Sequence, residues 1–112
     1  MRMRNLVSAA ALAAATLVPV LAINAPADAV SGKTWNRLAQ CESSGRWHIN
    51  THNGYYGGLQ ISLGTWRGYG GRKLAALPSR ASRAEQIRIA ERIKKHQGWG
   101  AWPACSARIG VR

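Results

Sequence analysis

Acidic residues are scarce in this 112-residue chain: there are four, against sixteen lysines and arginines, and phenylalanine is missing altogether. Two cysteines and three histidines complete a short inventory of reactive side chains. So few carboxylates leave no acid to orient a histidine in a serine-type triad. His48 and His52 stand four apart in a stretch without helical periodicity, and no cysteine or carboxylate completes a zinc set around them. Neither a metal nor a cofactor is expected. Past the first thirty residues the chain has no long apolar run, no repeat and no low-complexity tract, so nothing marks a linker to a second module.

The first thirty residues have a different character. Arg2 and Arg4 make a positive start, Leu6 to Ala22 is an Ala-rich apolar run interrupted by Ser8, Thr16 and Pro19, and Ala27-Asp28-Ala29 offers small residues where a signal peptidase reads. The expectation is a signal peptide over residues 1–29 and one domain over 30–112, secreted and without stable membrane insertion once the leader is gone. A membrane anchor is the alternative, although it would want about 20 apolar residues without an internal proline.

A domain this small folds alone only marginally, and a cross-link would help it. Cys41 and Cys105 both survive leader removal, and in an exported chain such an even pair reads as a disulfide. Closing so long a loop would stabilise by about 4 kcal/mol on the chain-entropy argument. The competing reading, Cys41 as a catalytic thiol, needs a secreted thiolate kept reduced beside an idle second cysteine. Sixteen basic residues less Arg2 and Arg4, against four acids less Asp28, leave a net charge of +11. That balance seeks a polyanion. Export argues against nucleic acid and for a bacterial wall with its carboxylates and phosphate polymers; simple solubility is the plainer explanation.

The remaining pattern is mainly helical, an α+β reading. Ser31 or Thr34 can cap a helix carrying Trp35, Leu38 and Ala39 on one face, with Gly45 as its stop. Arg46 to Gln60 is irregular; Asn53-Gly54 is the strongest turn signal, and Gly57-Gly58 permits close backbone approach. Ser62 can cap a short helix carrying Leu63, Trp66 and Tyr69, closed by Gly70-Gly71. After a basic connector, Ser82 and Glu85 form a capping box for a helix whose expected apolar stripe is Ile87, Ala90 and Ile93, with Ile89 at its edge, and which Gly98 ends.

On that reading each carboxylate of the mature chain can be assigned. Glu85 caps a helix. Glu91, four residues before Lys95, is expected to be a solvated helix residue. Glu42 falls at a helix C-terminus, where the macrodipole disfavours an anion, beside a cysteine expected in the core. Both features would raise its pKa, as a general acid working near neutrality requires; an exposed helix-end residue is the competing reading. Ordinary glycosidases need two carboxylates. With only Glu42 free, the substrate itself would have to supply the second group, as N-acetylmuramic acid can with its 2-acetamido carbonyl or 6-hydroxyl. Five tryptophans and three tyrosines suit sugar rings. Trp35, Trp47 and Trp102 are expected to pack, while Tyr55, Tyr56 and Trp66 are better placed to line a groove.

The residues also resemble a known family. Trp35-x-x-Leu38-Ala39-Gln40-Cys41-Glu42-Ser43-Ser44-Gly45-Arg46-Trp47, then Asn50-Thr51-x-Asn53-Gly54-Tyr55-Tyr56-Gly57-Gly58-Leu59-Gln60-Ile61-Ser62, is similar to the resuscitation-promoting factor domain. Glu85-Gln86-Ile87, Ala90-Glu91-Arg92-Ile93 and Gln97-Gly98-Trp99-Gly100-Ala101-Trp102-Pro103-x-Cys105 extend the likeness over nearly the whole mature chain. The resemblance implies a small lysozyme-like, lytic-transglycosylase-like fold with a Cys41–Cys105 disulfide. It implies secreted actinobacterial proteins that cleave peptidoglycan glycan strands and help dormant cells resume growth. It puts the catalytic acid at Glu42 and substrate contacts at Tyr55, Gln60, Thr65, Trp66 and Gln97. A wall endopeptidase is implied as a partner, and the domain is expected to be a monomer. Where relatives often have two glycines after the Glu-Ser pair, this chain has Ser44-Gly45. The rival from another class is a non-catalytic cationic module that binds walls or acts as an antimicrobial, which would use the same arginines and aromatics without needing Glu42.

Overall fold

Ser31 opens the first helix, its Oγ accepting from the Thr34 amide in extended backbone geometry. The structure is a computed structural model and describes residues 29–112. The expected leader, Ala29 excepted, lies outside the described residues. Helix α1 (Gly32–Ser43) buries Trp35, Leu38 and Ala39 on one face. It ends one residue earlier than glycine placement alone suggests. Ser44 itself takes the left-handed conformation, φ 58°, followed by Gly45 at φ 75°. Their amides close the helix by donating to Gln40 O and Ala39 O.

Beyond α1 the chain turns back at Asn53, whose Oδ1 accepts from the Tyr55 amide. Strand β1 (Tyr55–Tyr56) pairs antiparallel with β2 (Ile61–Ser62), in the register Tyr55 with Ser62 and Tyr56 with Ile61. The Gly57–Gln60 turn between them is tightly covered: a Cβ on Gly58 would overlap the Trp47 ring. Ser62 then caps α2 (Leu63–Gly68) through the Thr65 amide. The basic connector that follows holds two single 3-10 turns, Gly71–Lys73 and Pro78–Arg80.

Helix α3 (Arg83–Gln97) starts with both halves of the Ser82–Glu85 capping box and ends at Gly98. Its inward stripe differs from the expected one. Gln86, Ile89, Ala90 and Ile93 are buried, and Ile87 is only half-buried. The i, i+3, i+4, i+7 series therefore runs from a polar residue, which a search for apolar periodicity passes over. Gln86 is fully buried and satisfied: Nε2 donates to Trp47 O and Ala81 O, and Oε1 accepts from the Gly58 amide. Glu91 also departs from expectation. It is half-buried, and its Oε2 accepts from Trp35 Nε1 and the Val30 amide, both at 2.8 Å.

A 3-10 turn (Gly98–Ala101) leads into α4 (Pro103–Arg108), which packs on α1 and carries Cys105 to Cys41. The result is a mainly helical α+β domain with one disulfide. Its core is a single cluster drawn from α1, the hairpin, α2, α3 and α4, with Trp35, Leu38, Leu59, Trp66 and Ile89 fully buried.

Ser44 supplies a test of this backbone. It is exposed, and an L-residue in the left-handed region costs roughly 1–2 kcal/mol that glycine avoids, offset in part by glycine's freer unfolded chain. Ser44→Gly is expected to stabilise by about 1 kcal/mol, raising Tm by roughly 4–8 °C in a thermal melt; a lower Tm would contradict the αL assignment.

Candidate active site

Glu42 sits in the last turn of α1, one residue after the disulfide cysteine, and faces a cleft. The cleft holds about 250 Å³ and is lined by Glu42, Tyr55, Gln60, Ala101, Trp102 and Pro103. A smaller adjoining hollow shares Tyr55, Gln60, Ala101 and Trp102 and continues to Ser62, Thr65 and Gln97. The two together form a groove with the carboxylate toward one end and polar side chains toward the other.

Each wall has a distinct support. Tyr55 at the start of β1 is 51 % exposed, a large aromatic face left open beside the carboxylate. Gln60 closes the hairpin turn in the left-handed region, φ 52°, with Nε2 donating to Gly57 O, so its side chain is held by its own turn. Trp102 is buried except for an edge and donates Nε1 to Leu59 O, which ties the Gln60 turn to the opposite wall. Thr65 stands in the first turn of α2, where the Ser62 hydroxyl donates to its Oγ1. Gln97, the last residue of α3, is exposed and donates to the Tyr69 hydroxyl, which is also bonded to His96 Nδ1.

Burial pushes the Glu42 carboxyl above the ordinary carboxylate range, because desolvation penalises its charged form. No basic residue lies in the last turn of α1 to offset this. The other two described carboxylates are committed elsewhere: Glu85 accepts from the Ser82 amide, and Glu91 from Trp35 and Val30. Neither lines the groove, so among the described residues Glu42 is the carboxylate that can deliver a proton there.

Of the residues expected to contact substrate, Tyr55, Gln60, Thr65 and Gln97 come together on the groove. Trp66 does not. It is fully buried, its Nε1 donates to Ala75 O, and Gly71 lies so close that a Cβ there would overlap the indole. A sugar has no surface of Trp66 to reach, and the residue is a core element. Tyr56, half-buried on the far side of the pleat, lines neither hollow. Sequence reasoning gave no groove role to Ala101, Trp102 and Pro103. The signal for them was available: if Cys105 bonds to Cys41, the residues just before Cys105 must lie near Glu42.

The transglycosylase-like domain family model matches residues 29–105, a span that includes every residue of the groove. The chain belongs to this family. Among its relatives, Resuscitation-promoting factor Rpf1 of Corynebacterium glutamicum is 53% identical over 103 residues, covering 89% of this chain and 53% of its own length. Resuscitation-promoting factor Rpf of Micrococcus luteus is 48% identical over 106 residues, covering 93% of this chain and 46% of its own. Resuscitation-promoting factor RpfE of Mycobacterium tuberculosis is 57% identical over 74 residues, or 66% of this chain and 41% of its own. The chain thus spans about half the length of these relatives.

The contrast between two aromatics in this domain is directly measurable. Trp66→Ala is expected to destabilise by about 3–5 kcal/mol through loss of a filled core. Tyr55→Ala, at an open surface, should stay within roughly 0.5 kcal/mol of the parent. Denaturant melts of the two variants check this, and similar losses in both would contradict the placement of one in the core and the other on the groove.

Proposed function

We propose that this domain is a secreted peptidoglycan-cleaving enzyme acting on the β-1,4 bond between N-acetylmuramic acid and N-acetylglucosamine, with Glu42 as its acid. The observation that carries the reading is a single half-buried carboxyl with a raised pKa, set in a groove whose other polar groups are neutral. The family membership and the names of the relatives supply the substrate class.

In this reading a glycan strand lies along the groove with a sugar face on Tyr55. Gln60, Thr65 and Gln97 offer amide and hydroxyl groups to ring substituents. Glu42, protonated at the start, gives its proton to the glycosidic oxygen as the bond to the anomeric carbon breaks. The carboxylate left behind can then take a proton from the muramic acid 6-hydroxyl, whose oxygen attacks the anomeric carbon and closes a 1,6-anhydro ring. Glu42 returns to its acid form, and no second carboxylate is needed. Water in place of the 6-hydroxyl gives hydrolysis, the alternative outcome within the same site. In its cell the enzyme would help dormant actinobacteria resume growth, with a wall endopeptidase as a candidate partner.

A non-catalytic cationic wall binder is the contrasting function, and one substitution separates the two. Glu42→Gln keeps the size and loses the proton. Lysis of purified walls is expected to fall by about 10²–10⁴-fold while wall binding is retained. Lysis at the parental rate would exclude the catalytic reading. Mass spectrometry of the released muropeptides then distinguishes products: 1,6-anhydro ends support ring closure, and reducing-end muramic acid as the sole product excludes it.

The raised pKa has two consequences with opposite pH signs for activity and variant stability. Activity needs the protonated form, so it should decline as pH rises through the folded pKa; a flat profile from about pH 4 to 9 would count against Glu42 as the acid. An acid whose folded pKa exceeds its unfolded one costs stability once both states are above those values. Glu42→Gln is therefore expected to melt at or above the parent's Tm at neutral pH, with the difference vanishing below the unfolded carboxyl pKa.

A further inference from the structure

Glu91 is the one carboxylate of the described residues that the proposed chemistry and the helix caps both leave aside, and it lies where the chain enters the domain. Its Oε2 accepts two neutral donors, the indole of Trp35 and the backbone nitrogen of Val30, each at 2.8 Å. Val30 is half-buried and packs against the core, whereas Ala29, immediately before it, is exposed. The bond between them is therefore open to a peptidase, and the nitrogen on its far side already touches a carboxylate.

We propose that Ala29–Val30 is the maturation bond of this protein, and that cutting it delivers the new α-ammonium of Val30 to the Glu91 carboxylate as a clasp between the N-terminus and α3. The inference rests on the leader expected from the first thirty residues and is independent of the reading of Glu42. Hydrolysis by a leader peptidase consumes one water. The Ala29 carbonyl–Val30 nitrogen bond breaks, the water oxygen becomes part of the Ala29 carboxylate, and the released nitrogen takes up protons to become an ammonium. An amide donor is thereby exchanged for a cationic one at the same atom. A hydrogen bond with both partners ionised is shorter and roughly twice as strong as a neutral one.

The clasp reaches the groove through aromatic packing. Trp35, held by the same Glu91 oxygen, meets Trp102 edge-on with centroids 5.4 Å apart and Trp99 at 5.3 Å. Trp102 is the wall facing Glu42. Removing the leader thus secures the tryptophan cluster behind the groove, and the precursor holds it with an amide alone.

The test uses the full chain exported by a secreting bacterial host. N-terminal sequencing of the exported protein should begin at Val30, and any other start overturns the proposal. The exported protein is then melted with its α-amino group free and after acetylation selective for that amine, which keeps an N–H donor and removes the charge. Acetylation is expected to lower Tm by roughly 4–8 °C, the shift that about one kcal/mol produces in a domain of this size. In Glu91→Gln, which keeps an acceptor for Trp35, acetylation should change nothing. A Gly-Ser extension before Val30 serves as a second probe that leaves Glu91 intact, since it moves the charge away, and it should lose as much as acetylation does. Equal melting of the free, acetylated and extended forms, or an acetylation loss of the same size in Glu91→Gln, would overturn the clasp.

Discussion

Cys41 and Cys105 are separated by 64 residues in sequence and by 5.8 Å at their Cα atoms, and the site depends on that join. Glu42 follows the first cysteine, and Trp102-Pro103 precedes the second by two residues. Fixing the two sulfurs brings the carboxyl and the wall it faces within one cleft, although they come from opposite ends of the domain. By the chain-entropy argument the bridge stabilises by about 4 kcal/mol, a large share of what so small a core can supply. Its geometric effect matters as much. A half-buried carboxyl with a raised pKa is an unstable arrangement, and it persists only where the surrounding backbone cannot relax to let water in.

The other fixed point is polar and buried. Gln86 reaches three separate stretches of backbone, at Trp47, Gly58 and Ala81, and ties the hairpin turn to the loop before it and to the start of α3. That turn carries Gln60, and the far end of α3 carries Gln97, so one buried amide sets both ends of the polar side of the groove. The close covering of Gly57 has the same origin, since a Cβ there would lie 2.5 Å from the Gln86 side-chain oxygen, whereas Gly58 is covered by the Trp47 ring. A satisfied buried network of this kind specifies one arrangement, because any displaced member leaves unpaired polar groups in the core.

What was legible in the sequence follows from what each signal depends on. Ser31, Ser62 and Ser82 were readable as caps because capping is local, a side-chain oxygen and an amide two or three residues on. Glu42 stands out by counting charges, and the family likeness points to Gln60, Thr65 and Gln97, which local pattern does not single out, but also to Trp66, which lies in the core. The errors arose where a side chain's role depends on a distant partner. Trp66 lies near the glycine-rich segment in sequence, yet its ring packs toward Gly71 and Ala75 and away from the groove. Periodicity favours Ile87 over Gln86 because it counts apolar residues, whereas the helix here turns a glutamine inward. A serine at positive φ has no sequence signature, so Ser44 as the helix stop is revealed only by the backbone.

Glu91 is the most instructive of these cases. Its surroundings in sequence, Arg88, Arg92, Lys94 and Lys95, describe an ordinary solvated helix face with an i,i+4 partner. The side chain instead turns to an indole fifty-six residues earlier and to the backbone nitrogen of Val30. The three described carboxylates thus answer to three different scales of structure. Glu85 satisfies its own helix, Glu91 joins α3 to Trp35 and Val30, and Glu42 alone is left facing the groove at a burial that penalises its charged form. With two of the three held by a helix cap and by the tryptophan cluster, a second groove carboxylate would have to come at the expense of one of these. On the proposed mechanism, a chain this poor in acids keeps its fold and does its acid chemistry with one carboxyl, the substrate's own hydroxyl serving as the second group.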